Sequence, residues 1–154
     1  HVLSRRQRQM CIRDRQRDDR YGAMCVQHEH VPGETVKFLG EVQSAYPKKN
    51  WSSLMLLNCK RCSKLTVDYV NTATGLELHR FHWLEGDHEI GALDAGWNHL
   101  VDVQIAPTAS AEEGGPSLLH WTLGGPWFRE QRTMGGVLAA EWFGARDEAM
   151  KLWD

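Results

Sequence analysis

Residues Leu118 to Phe128, reading Leu-Leu-His-Trp-Thr-Leu-Gly-Gly-Pro-Trp-Phe, bring an imidazole, two adjacent glycines and an indole close together in the chain. A neutral imidazole is a common metal ligand, and paired glycines let backbone N–H groups approach a phosphate closely. His120 beside Gly124 and Gly125 therefore suits a divalent cation and a diphosphate held side by side, with Trp127 as a wall. The same residues also read as a short strand, Ser117 to Thr122, ending in a tight turn at Pro126 with a half-buried histidine. On its own the stretch favours that plainer reading.

Three further groups carry chemistry. His28, His30, Cys59 and Cys62 form a candidate zinc set: the histidines project to one side of an extended segment, and Cys59-Lys60-Arg61-Cys62 is a CxxC. A lone CxxC is equally the turn at a strand end, with two free thiols. Asn50, Ser52 and Ser53 place an amide and two hydroxyls at the entrance of an apolar run, and such groups hydrogen-bond sugars. Glu77 and His79 are candidates for acid–base work, with a solvated face as the alternative for both.

The elements that would position these groups alternate between strand and helix. Tyr21 to Gln27 reads as a buried strand, followed by the polar His28-Glu29-His30 and a turn at Val31-Pro32-Gly33. Thr35 to Leu39 reads as a second strand, and the apolar Ser52 to Leu57 as a central buried one. Thr66 can cap a helix through Val67 to Thr72, and Leu76 to Leu84 continues as helix or turn. A short strand at His88 to Leu93, a turn at Asp94 to Asn98 and a strand at His99 to Val103 follow. Pro107 to Pro116 is an exposed loop, and Val137 to Trp153 an amphipathic helix interrupted by Gly144. The pattern is α/β.

The chain has 154 residues, 42% hydrophobic and 25% charged, with a formal net charge of −2, which suits one domain or part of one. No apolar run approaches the roughly 18 residues a membrane helix needs, and no apolar segment of a signal peptide follows the N-terminus. Four cysteines make no disulfide framework, which suggests a reducing, cytoplasmic setting. Residues 1–20 hold seven Arg and three Asp, a basic arm on an acidic body that could suggest a nucleic-acid tail. However, Arg5 to Arg15 resembles a translated sequencing adapter. Residues 1–16 are therefore set aside as a disordered tail with no nucleic-acid partner, and 17–154 is expected to be the C-terminal part of a single domain.

Three elements, taken in order, carry a resemblance. Asn50-Trp-Ser-Ser-Leu-Met-Leu-Leu-Asn58 resembles the "NSGVMLFN" strand of glycosyltransferase family 8. Leu93-Asp-Ala-Gly-Trp-Asn98 is similar to that family's "LPxxWN" element, and His120-Trp-Thr-Leu-Gly-Gly-Pro-Trp127 to its "HxxGxxKPW" element. The resemblance covers roughly Tyr21 to Phe128, and Pro47 to Asn58 and Tyr69 to Val101 further resemble a bacterial and phage group of such transferases. It implies a GT-A fold, a mixed, mainly parallel sheet flanked by helices that binds a nucleotide-sugar at the strand carboxyl ends. It implies a UDP-sugar donor, a glycan or small-molecule acceptor, and a divalent cation, usually Mn²⁺, held by an Asp-x-Asp pair and the histidine matched by His120. By the same resemblance Gly124 and Gly125 approach the diphosphate and Trp127 walls the site. The family's catalytic polar pair falls in the region of Glu77 and His79. Two departures stand out: Gly125 replaces the family's diphosphate-binding Lys, with a His-to-Pro spacing one residue shorter, and no Asp-x-Asp occurs in the chain. The resemblance places that pair upstream of Tyr21, so the chain is expected to be inactive by itself.

Overall fold

The computed structural model describes residues 16–29, 47–105 and 115–152, and its elements gather around one short strand. β1 (Ala23–Cys25) is buried along its whole length. Successive side chains of a strand point to opposite faces. Ala23 and Cys25 accordingly join Cys62, Phe81, Trp83, Leu84 and Ile90, while Met24 and Val26 join Leu93 in a second cluster. An unbroken apolar run is what a strand covered on both faces needs. The strand expected at Tyr21 to Gln27 is present, reduced to its hydrogen-bonded centre.

β2 (Leu56–Leu57) pairs antiparallel with β1, Ala23 opposite Leu57, and β3 (Ile90–Ala92) pairs parallel with it, Ala23 opposite Ile90. The order is β2-β1-β3. Gly91 permits the close approach of β3, since a Cβ there would stand 2.4 Å from the Tyr21 ring. A second, two-stranded parallel sheet joins β4 (His99–Leu100) to β5 (Leu119–His120). Between β2 and β3 lie α1 (Val67–Thr72) and α2 (Gly75–His79). Thr66 Oγ1 accepts from the Tyr69 N–H at the start of α1, the cap its sequence predicts. α3 (Leu138–Met150) closes the described chain, a mixed α/β fold. Among the described residues no helix is long and apolar enough to cross a membrane.

Two expectations are corrected. Ser52 to Leu57 is not a central buried strand: Trp51–Ser53 is a 3-10 turn without a buried residue, and only Leu56–Leu57 is extended, at the side of β1. Asn50 takes a left-handed conformation, φ 65°, and the Ser53 hydroxyl donates back to its carbonyl at 2.6 Å. Such local side-chain bonds compete with strand pairing, and Asn tolerates the left-handed region better than most residues. The C-terminal helix runs unbroken through Gly144, where a Cβ would meet nothing within 4 Å, and it buries only Leu138 and Ala139. A solvent-side glycine costs about 1 kcal/mol without ending a helix.

The expected strand at His99 to Val103 stops after Leu100, because Asp102 turns the chain with φ 61°. Residues 1–15, His30, the turn at Val31 to Gly33, the strand at Thr35 to Leu39 and most of the Pro107 to Pro116 loop lie outside the described residues. Gln16, assigned to the tail, accepts from the Asp94 N–H through Oε1 at 2.9 Å.

Candidate active site

β1 and β3 run parallel, so the chain leaves both on the same side. The crevice outside the carboxyl ends of parallel strands is where open α/β sheets bind ligands. His28 lies just beyond β1. Beyond β3, the Asp94 side chain accepts from the Gly96 N–H and shapes a 3-10 turn over Ala95–Trp97. That turn delivers Asn98 into the interior, where it is wholly buried.

A buried amide must find a partner for each of its polar atoms. Asn98 Nδ2 donates to the Asn50 carbonyl at 2.9 Å and to Ser53 Oγ at 2.7 Å. Asn98 Oδ1 lies 3.1 Å from His120 Nδ1. Thr122 Oγ1 donates to Asn50 Oδ1 at 3.3 Å, and Trp51 Nε1 donates to the His28 carbonyl at 2.8 Å. One side chain thus ties the turn at Asn50 to Ser53, the exit of β3 and strand β5 together.

This network sets the tautomer of His120. Both Asn98 amide protons go to oxygens, so Oδ1 can only accept, and His120 Nδ1 must be the donor. The lone pair is then on Nε2, the nitrogen a metal or a proton would take. Burial pushes the His120 pKa below the ordinary imidazole value, favouring this neutral form. His28 is lowered by burial first and then by the charge of His120, against a hydrogen bond to the Asn98 backbone that raises it. Burial lowers His99 too. Nε2 of His28 and of His99 is buried without a partner among the described residues.

Stability should follow these shifts. Each imidazole is harder to protonate folded than unfolded, so the unfolded chain binds more protons below its pKa of about 6.5. Stability is therefore complete above that pH and is lost as pH falls through the lowered folded values. A melting temperature flat from pH 8 to 7 and dropping progressively from pH 6.5 to 5 is the expected result. A melt insensitive to pH in that interval would contradict buried neutral histidines.

The other candidate residues separate into groups. Ser52 Oγ and His79 Nδ1 are 2.7 Å apart. Glu77 instead closes a capping box: its Oε2 accepts from both the N–H and the hydroxyl of Thr74, each at 2.7 Å, and the Glu77 N–H donates to Thr74 Oγ1. The Thr74 hydroxyl bond, ahead of the backbone one, holds the Glu77 carboxyl below its ordinary pKa. This accounts for the residue structurally. Ser53, Leu119, His120, Trp121, Trp127 and Trp142 line a cleft of about 380 Å³. Gly124 and Gly125 do not face open space: a Cβ on either would meet the Gln131 or the Trp127 side chain at 2.1 and 2.2 Å.

The described members of the zinc set, His28, Cys59 and Cys62, do not come together. Cys62 is buried beside the start of β1, its Sγ donating to the Gly22 carbonyl at 3.2 Å. His28 lies beyond the other end of that strand, six residues further along a chain that rises about 3.3 Å per residue. Cys59 is exposed, and Cys25, Cys59 and Cys62 are all free thiols. Among the described residues no three His, Cys, Asp or Glu side chains converge on a point that could hold a metal ion. His30 is outside them.

Asn98 is the site residue that sequence reasoning left without a role, although it closes the Leu93 to Asn98 element. Its signal was local: an amide placed between Trp97 and the apolar Leu100-Val101, directly after a turn, has to be buried and satisfied.

The described residues define a mixed α/β protein with a polar knot at the carboxyl ends of its parallel strands. Protein CDI of Arabidopsis thaliana is 48% identical over 117 residues, covering 72% of this chain and 43% of the relative. The chain thus spans less than half the length of the curated relative it matches. No family model and no solved structure matches.

Proposed function

We propose that this chain is part of a GT-A glycosyltransferase that moves a sugar from a nucleotide-sugar, best represented by a UDP-sugar, to a glycan or small-molecule acceptor. One observation supports the reading above the rest. The three elements that resemble family 8, far apart in the sequence, meet through the side chain of Asn98. They meet beyond the carboxyl ends of the parallel strands, the side on which open α/β sheets bind ligands.

In the reaction, the bond between the anomeric carbon and the diphosphate oxygen breaks, and the acceptor oxygen bonds to that carbon. The nucleoside diphosphate leaves with growing negative charge, which a divalent cation such as Mn²⁺ and nearby donors would stabilise. His120 Nε2 would supply one ligand, with Nδ1 fixed by Asn98 in the manner of a supporting shell. Among the described residues no others complete that ligand set, and the remaining ligands are assigned to the Asp-x-Asp that the resemblance implies. Asn50, Ser52 and Ser53 are assigned to donor hydroxyls. His79, paired with Ser52, is assigned to the acceptor proton in preference to Glu77. Trp127 walls the cleft and, with Gln131, fills the side of Gly125 and Gly124 on which a Cβ would stand, so a diphosphate would approach the two glycines from another side. The free thiols suit a cytoplasmic setting.

The test is UDP release from a panel of UDP-sugars by the complete gene product containing this chain. Release that needs Mn²⁺ and stops with a chelator is expected. Absence of Mn²⁺-dependent release from every sugar in the panel would overturn the reading.

A further inference from the structure

The wall of the cleft beside His120 is aromatic and already ordered. Trp127 is 46% exposed, although its ring centroid is only 5.6 Å from that of Trp142 and 6.2 Å from that of Trp121. Trp142 is in turn in contact with Phe143, edge-on at 5.1 Å, and with the Arg146 guanidinium, 5.8 Å above its ring. These contacts fix the rings before any ligand arrives, which lowers the ordering cost of binding.

The planes of Trp121 and Trp142 are tilted from that of Trp127 by 68° and 47°, so the three indoles make a dished surface rather than parallel plates. A planar base is best held between parallel faces or read along its edge. A puckered pyranose chair offers a C–H face to a dished aromatic wall and a rim of hydroxyls to polar groups. Ser53 and His120 line the same cleft and supply such groups, and about 380 Å³ is within the range of small-molecule sites.

We propose that Trp127 and Trp142 form a stacking subsite for a pyranose ring of the acceptor, so that the acceptor is a saccharide. The assignment as acceptor rests on the transferase reading; the binding of a saccharide does not.

Saturation-transfer NMR on the full 154-residue chain tests it, with methyl β-glucopyranoside, methyl β-galactopyranoside, cellobiose and lactose as probes. Saturating the indole protons should transfer signal to the ring C–H protons of one sugar face in at least one probe. Saturating UDP with Mn²⁺ should leave that signal in place. Trp127→Phe, which keeps a flat ring, should bind within about threefold of the unsubstituted chain. Trp127→Leu keeps apolar bulk without a π face and should bind at least about tenfold more weakly. Absence of transfer to all four probes, displacement by UDP, or equal binding by the Leu and Phe variants would overturn the subsite; the first two readouts need no variant to fold. The two proposals fail separately. UDP-sugar hydrolysis without saccharide binding removes only the subsite, and saccharide binding without hydrolysis removes the transferase reading while the subsite stands.

Discussion

Asn98→Ala should lose about 3–5 kcal/mol of stability, a large share of the 5–15 kcal/mol typical of a folded domain. The residue is wholly buried and holds the Asn50 carbonyl, Ser53 Oγ and His120 Nδ1 at once. Truncation leaves a cavity and strands those partners, and each buried polar group without a bond costs about 1–3 kcal/mol. Asn98→Asp should be nearly as damaging, since a carboxylate cannot donate to Asn50 or Ser53 and its charge would be buried. Asn98→Leu separates volume from bonding: it fills the space and still strands the partners. Urea unfolding of the three variants measures this directly. A loss under about 1 kcal/mol for Asn98→Ala would mean that the knot is not what joins the two sheets.

His120→Ala should have the opposite profile. In the complete gene product, Mn²⁺ affinity and transfer rate should fall together by about 10- to 100-fold or more, the scale of disturbed metal sites. Stability should change by only about 1 kcal/mol, because His120 lines the cleft and water entering there can replace its bond to Asn98 Oδ1. His120→Asn can keep a bond to Asn98 without presenting an imidazole nitrogen. It should hold the melting temperature while still losing metal dependence. A collapse of stability in both variants, with the metal response unaltered, would make His120 a core residue and remove it from the site.

Legibility from sequence divides by range. Thr66 and the helix at Val67–Thr72 were readable to the residue, because capping depends on atoms three positions apart. β1 was readable from its apolar run, since burial on both faces leaves no alternation to find. Ser52 to Leu57 misled for the same reason: apolar residues suggested a central strand, whereas the left-handed Asn50 and the Ser53 hydroxyl turned the chain. His120 and Ser53 line one cleft. The partner that joins them could not be read from spacing, because Asn98 acts on groups 48 and 45 positions upstream and 22 downstream. Glu77 was a titratable residue in a plausible place, and the Thr74 capping box explains it without catalysis.

The pairing of β1 also bears on how the chain reaches this state. Neither neighbour of β1 is reached through a tight hairpin: Ala23 waits for Leu57 on one side and Ile90 on the other. Loop closure must be completed before either pairing is rewarded, and sheets built from such distant partners fold slowly, on the order of milliseconds to seconds. α1 and α2, with their local caps, can form before that. The apolar Ala-Met-Cys-Val run would meanwhile be exposed on a nascent chain, and the late docking of β3 is the step that hides it.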